Sequence, residues 1–140
     1  EGAETARVTP AVAEALAEAD LIVICPSNPV LSIAPILAVQ GVREALGRRA
    51  GHCVAVSPFI GGQAVKGPAA KLMPELGLDI SVCGLWHFYE GLLDGLVVDV
   101  VDAPQIVGDT RPVLLTYTLM NHDEDKVRLA KEILDWAERL

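Results

Sequence analysis

Apolar residues in this chain fall into two periodicities that alternate along its length. Leu21-Ile22-Val23-Ile24-Cys25 and Cys53-Val54-Ala55-Val56 are unbroken runs, too short for helices and rich in β-branched residues. They predict strands buried on both faces. Leu96 to Val101 predicts a third strand and Val113 to Leu119 a fourth. Between these runs the pattern turns helical. Thr9-Pro10 supplies a cap and a first-turn proline for the Ala-rich stretch that follows, which should stop near Asp20. Ser32 predicts the cap of a helix through Ile36, Leu37 and Val39, with Pro35 in its first turn. Gly41 interrupts that helix, and Val42 to Arg49 forms a second amphipathic piece. Phe59 to Gly67 reads as Gly-rich loop, with a short helix expected around Ala69 to Leu76 and another over Ser81 to Glu90. The last helix begins at Asp123, and Val127, Ala130, Leu134 and Ala137 mark its apolar stripe.

The resulting order is helix, strand, helix, strand, helix, strand, strand, helix. Such alternation implies βαβ crossovers, hence an α/β fold: three-layer and Rossmann-like, a mostly parallel sheet with helices on both faces. At 140 residues the chain has the size of a single α/β domain covering 1–140. Aromatic residues make up only 4%, so the core must be built from Val, Leu, Ile and Ala.

A net charge of -8 removes the basic stripe that a nucleic-acid surface needs. It leaves room for a nucleotide or phosphorylated metabolite, which needs only one or two local cations and backbone amides. Cys25, Cys53 and Cys83 are widely spaced without a CxxC pair, which predicts buried thiols in a reducing compartment, neither disulfides nor zinc. The chain shows no signal-peptide pattern and no apolar run near the roughly 18 residues of a membrane span. The expected location is the cytoplasm, with no membrane partner.

In open α/β sheets ligands bind at the carboxyl ends of strands. Two loops here leave such positions. Pro26-Ser27-Asn28-Pro29-Val30-Leu31-Ser32 is stiffened by two prolines and offers Ser27, Asn28 and Ser32 as polar groups, with free helix amides expected beyond them. Ser57-Pro58-Phe59-Ile60-Gly61-Gly62-Gln63-Ala64-Val65-Lys66-Gly67-Pro68 brings adjacent glycines and a lysine able to meet phosphate, although the GxxxxGK[ST] pattern is absent. His87 and Tyr89 read either as ligand contacts or as a half-buried, hydrogen-bonded pair. His52 and His122 read as surface residues. Asp94, Asp99 and Asp102 lack the short spacing of a metal site, so no metal ligand is assigned, and no catalytic side chain stands out.

These segments together resemble the CofD family of 2-phospho-L-lactate transferases. The likeness runs from Ala19-Asp20-Leu21-Ile22-Val23-Ile24-Cys25-Pro26-Ser27-Asn28-Pro29 through Ser32-Ile33 and Pro35-Ile36-Leu37. It continues in Val56-Ser57-Pro58-Phe59-Ile60-Gly61-Gly62 with Lys66-Gly67, in His87-Phe88-Tyr89 with Leu93-Asp94-Gly95, and in Thr118-Leu119-Met120 with the final Leu129-Ala130 helix. The resemblance implies transfer of a phospholactyl or phosphoenolpyruvyl group from a guanylylated donor to the deazariboflavin precursor Fo, in coenzyme F-420 biosynthesis, with GMP leaving and Mg²⁺ assisting. It implies donor and phosphate contacts at Ser27, Asn28, Ser32, Gly61, Gly62 and Lys66, and substrate contacts at Pro26, Pro29, His87 and Tyr89. A homodimer is implied as well. Such enzymes open with a Gly-rich strand-to-helix loop and carry acidic residues for the metal and Fo that this sequence does not contain. The likeness is therefore to the carboxy-terminal part of the family, and the Mg²⁺ ligands are expected outside this chain. Two other readings stay open: a non-catalytic nucleotide-binding or regulatory module, and a relative of the gluconeogenesis factors.

Overall fold

The computed structural model describes Gly2 and residues 5–64 and 73–140. Four strands form one sheet: β1 (Leu21–Ile24), β2 (His52–Val56), β5 (Gly95–Asp99) and β6 (Val113–Thr116). They lie in the order β1-β2-β5-β6, and every pairing is parallel. The register Val23↔Val54 and Val56↔Val97 puts one alternating set of side chains on each face. Cys53, Ala55, Leu96 and Val98 point to one side, and Val54, Val56 and Val97 to the other.

The first side is well covered. Helix α1 (Pro10–Glu18) brings Leu16, α2 (Ala34–Leu37) brings Leu37, α3 (Val42–Gly47) brings Val42 and Leu46, and α4 (Val82–Phe88) brings Val82 and Leu85. Among the described residues the second side carries a single helix, α5 (Asp123–Ala137), seated through Leu129, Ile133 and Trp136. Helices on both faces of a parallel sheet make this the three-layer, Rossmann-like α/β arrangement expected.

Several local expectations hold in detail. Thr9 caps α1, Gly41 enters α3 with a positive φ of 93°, and residues 82–88 are helical. The two later strands are shorter than expected, because β5 stops at Asp99 and β6 at Thr116. The stripe expected on α5 holds at Ala137 and is corrected elsewhere. Leu129, Ile133 and Ala137 are its buried residues, while Val127 and Leu134 are 69% and 55% exposed. The helix is apolar along two stripes, and periodicity alone does not say which one meets the sheet.

The cysteines are all free, but only Cys53 is buried. Cys25 follows β1 and Cys83 sits in the first turn of α4, and both are exposed rather than buried. The first half of the short helix expected at Ala69 to Leu76 lies outside the described residues, and 73–75 of the second half are helical. No described helix is long and apolar enough to cross a membrane.

Candidate functional site

Because the four strands run the same way, the segments that leave them gather at one end of the sheet. After β1 the chain makes a wide turn, Pro29–Ile33, in which the Ile33 N–H donates to the Asn28 carbonyl five residues back at 3.2 Å. The Asn28 side chain caps this turn. Its Oδ1 accepts from the N–H groups of Val30 and Leu31, each at 3.0 Å. Two expectations are corrected here. The cap is Asn28 rather than Ser32, and the turn offers no open amides to an anion, since Pro29 has none and the next two are spent on Oδ1. What remains is the other half of the same amide: Asn28 Nδ2 is buried and has no hydrogen-bond partner. Both lone pairs of Oδ1 being engaged fixes which way the amide faces. Beside it Ser27 is half-buried and Ser32 exposed, while Pro29 is buried and holds the turn down.

After β2 the sequence folds into a tight hairpin, which corrects the expected Gly-rich loop. Strands β3 (Phe59–Ile60) and β4 (Gln63–Ala64) pair antiparallel, with Gly61 and Gly62 at φ of 61° and 70° between them. A two-residue hairpin turn of this hand needs positive φ at both central positions, which is why two glycines stand there. Ser57 ties the hairpin base to the sheet. Its N–H donates to the Val97 carbonyl at 2.8 Å, and its Oγ accepts from the Phe59 N–H at 3.1 Å. Lys66 lies outside the described residues.

Two buried acids stand at the end of β5 and just beyond it. Asp99 closes the strand: Oδ2 accepts from Thr118 N–H at 2.8 Å and from Thr118 Oγ1 at 3.2 Å, and Oδ1 from Val101 N–H at 3.1 Å. Asp102 lies in the 3-10 segment Val100–Ile106, and its Oδ2 accepts from the Gly61 N–H at 3.0 Å. Its Oδ1 accepts from Gln105 Nε2 at 2.6 Å, and Gln105 in turn accepts from the Val82 N–H at the head of α4 at 3.0 Å. Asp102 therefore connects the hairpin tip to the covering helix. Sequence reasoning set both acids aside as poor metal candidates and missed this positioning role. The available signal was an acid at a strand's carboxyl end followed by a short Pro-containing helix. Among the described residues no group of three or more His, Cys, Asp or Glu is arranged to hold a metal. Each oxygen of Asp99 and Asp102 accepts at least one of these hydrogen bonds, which hold both carboxylates in place.

The opposite end of the sheet holds the remaining candidates. Asp94, just ahead of β5, accepts from Arg49 Nη2 at 2.6 Å and from the Cys53 N–H at 2.7 Å, and so locks the amino ends of β2 and β5 together. Partial burial works to raise its pKa, but the hydrogen bonds from Arg49 and Cys53 outweigh that and hold it below the ordinary value. Burial pushes the Cys53 thiol up to about 11. Gly95 has no side chain because Trp136 of α5 lies where a Cβ would reach, 2.3 Å from the nearest ring atom. The Leu93-Asp94-Gly95 segment thus has a structural explanation. His87 is exposed near the end of α4, and Tyr89 is buried at its cap, its hydroxyl pKa raised by burial. Both help line a recess of about 320 Å³ with Trp86 and Arg111, whose guanidinium lies 5.0 Å from the Trp86 ring centroid. Since α4 leads into the start of β5, the chain path sets His87 and Tyr89 at the far end from Pro26, Ser27 and Asn28. The structure does not bring the two sets together.

The family model described as 2-phospho-L-lactate transferase CofD matches residues 1–134. The chain belongs to this family. The 2-phospho-L-lactate transferase of Methanocaldococcus jannaschii is 45% identical over 124 residues, covering 89% of this chain and 39% of that protein. The protein of the same name from Methanopyrus kandleri is 43% identical over 143 residues, covering all of this chain and 45% of the relative. The phosphoenolpyruvate transferase of Streptomyces coelicolor is 40% identical over 143 residues, covering 99% and 45%. The chain therefore spans less than half the length of these CofD relatives.

Proposed function

We propose that this chain supplies one wall of the donor site of a CofD-type transferase. In this reading a guanylylated phospholactate or phosphoenolpyruvate is held at the carboxyl ends of β1 and β2. A hydroxyl of the deazariboflavin Fo attacks the phosphorus that carries the lactyl or enolpyruvyl group. The bond from that phosphorus to the GMP oxygen breaks, GMP departs, and the hydroxyl loses its proton. The chain corresponds to the carboxy-terminal part of the family, and Mg²⁺, which would offset phosphate charge, would be held by residues outside it.

The observation that carries the reading is Asn28 Nδ2, a buried donor with nothing to donate to, at the mouth of a stiff loop. A buried amide left unpaired is costly, and a phosphoryl oxygen is the acceptor that would satisfy it. Ser27 stands beside it, and the hairpin tip at Gly61 and Gly62 leaves the neighbouring strand without side chains in the way. Pro26 and Pro29 keep the loop from collapsing onto the vacant donor. The relatives bear both lactyl and enolpyruvyl names, so both donors belong in the assay.

The test is a titration with GDP, following the amide resonances of Ser27, Asn28, Gly61 and Gly62, on the chain alone and joined to the remainder of a relative. Shifts in the joined protein are expected at these residues. Their absence there, while the joined protein transfers the group to Fo with Mg²⁺, would refute the site. Asn28→Asp keeps the capping acceptor but replaces the free donor with an acceptor, and should weaken GDP binding at least about tenfold.

A further inference from the structure

Asn28 is not alone in leaving a buried donor unpaired. Trp86 Nε1 is also shielded from solvent and has no partner among the described residues. An indole N–H can only donate, so the bond it lacks has to come from an acceptor brought to it. Trp86 sits on α4, half-buried, and forms one wall of the recess of about 320 Å³ at the amino end of the sheet. That volume lies at the small end of the range for ligand pockets.

The same recess carries a cation that is fixed in place. Arg111, in the turn that leads into β6, has its guanidinium 5.0 Å from the Trp86 ring centroid. Asp109 holds it there. Its Oδ1 accepts from the Arg111 N–H at 3.0 Å and from Nε at 2.8 Å, and its Oδ2 accepts from Nη2 at 2.5 Å. Bonding to Asp109 raises the arginine's pKa above its ordinary value, and the neighbouring Cys83 sulfur adds to this. The Nε–Nη2 edge of the guanidinium fork is thus engaged, which leaves the Nη1 edge for a ligand. A stack that served only to brace the turn would gain nothing from an unpaired indole N–H, which costs stability. Since Asp109 answers Arg111 and the exposed Glu90 also lines the recess, the surroundings suit one negative charge better than two. The shielded N–H adds a requirement of shape. A planar carboxylate presents a thin edge to it, whereas a tetrahedral phosphate is broader. Leu93 and the Trp86 ring supply apolar wall for a flat hydrocarbon body.

We propose that this recess binds a small aromatic carboxylate, whose carboxylate accepts from Trp86 Nε1 and Arg111 Nη1 while its ring packs on the apolar wall. The inference stands apart from the donor-site reading, because the two share no residue and lie at opposite ends of the sheet.

The chain has only two tryptophans, Trp86 and Trp136, so the recess carries its own reporter. Their two indole N–H resonances are followed as benzoate is added, both on this chain and on the chain joined to the remainder of a relative, with Trp86→Phe assigning the pair. The Trp86 N–H should move downfield and saturate with a Kd on the order of 1 mM, while the Trp136 N–H and the Asn28 amide stay in place. Arg111→Ala should weaken benzoate at least about tenfold. Arg111→Lys keeps the charge but loses the planar fork, and should weaken it nearly as much. An unchanged urea midpoint shows that each variant keeps its fold, and Arg111→Lys carries the comparison if Arg111→Ala does not. Inorganic phosphate and benzylamine, titrated in parallel, should leave the Trp86 N–H where it is. The inference is overturned if benzoate does not move that resonance, or if Arg111→Ala and Arg111→Lys bind benzoate as the parent does. It is equally overturned if phosphate acts as benzoate does, which would mean any anion, or if benzylamine does, which would mean an apolar hollow only. A shift in this chain that vanishes in the joined protein also overturns it, because the recess would then be filled by polypeptide.

Discussion

Asp99 and Asp102 are each 3% exposed, three residues apart and equally buried, yet their loss should have unequal consequences. The difference lies in their partners. Asp99 satisfies the N–H and hydroxyl of Thr118, itself 5% exposed, so Asp99→Ala leaves a buried backbone donor that water does not reach. A hydrogen bond to a charged group contributes about 1.5–3 kcal/mol, and a buried orphan costs about 1–3 kcal/mol. Together these put the loss at about 3–5 kcal/mol, a large share of a stability of about 5–15 kcal/mol. Asp102 instead serves Gly61 and Gln105, both exposed, and their freed donors would turn to solvent. Asp102→Ala should cost about 1–2 kcal/mol, mostly the lost bonds net of rehydration. Urea unfolding followed by circular dichroism measures both, with an unchanged slope showing that the same surface is exposed on unfolding. If Asp102→Ala proves as destabilising as Asp99→Ala, partner burial is not what sets the cost and the reasoning fails. Asp102→Ala should show itself elsewhere, as faster amide exchange at Gly61.

The Arg49–Asp94 pair gives a pH-dependent prediction. Asp94 has a lowered pKa in the folded chain, so its contribution is present above the unfolded value and is lost as pH falls through the folded one. Asp94→Asn should therefore be least stable relative to the parent at neutral pH, with the gap closing below about pH 4; a gap independent of pH would count against the assignment. Gly95→Ala would press a methyl into the Trp136 ring and should destabilise by about 1–3 kcal/mol with a change in tryptophan emission, whereas an unchanged midpoint would show that α5 is free to shift.

Much of the frame was legible in the sequence because it depends on runs of residues. Strands that are apolar throughout announce burial on both faces, and alternation of the first three with helical stretches leaves few arrangements other than a mostly parallel sheet. Thr9, Pro10 and Gly41 act within a few residues of themselves, so their roles could be read locally. What escaped was decided by partners far along the chain. The Asn28 cap outcompeted Ser32 because an amide oxygen directly before the turn reaches two N–H groups at once. Asp102 looked idle until Gly61, 41 residues away, came within hydrogen-bond reach. His87 and Tyr89 resemble the rest of the family pattern in sequence, but helix direction carries them to the other end of the sheet.

The mistaken stripe on α5 has the same origin and says more about function. Val127, Ala130 and Leu134 repeat at helical spacing as faithfully as Leu129, Ile133 and Ala137 do, yet only the second set is buried. A helix that is apolar on two sides has two surfaces to meet. The sheet takes one. The other turns toward β1, where an uncharged edge strand and an unpaired Asn28 donor are also left without partners. Three independent deficits converge on the same strand: a backbone edge, an apolar wall and a buried amide. A self-sufficient domain would be expected to scatter such costs or remove them, since each lowers a stability that is only marginal to begin with. Their concentration beside β1 is what supports the donor site proposed there.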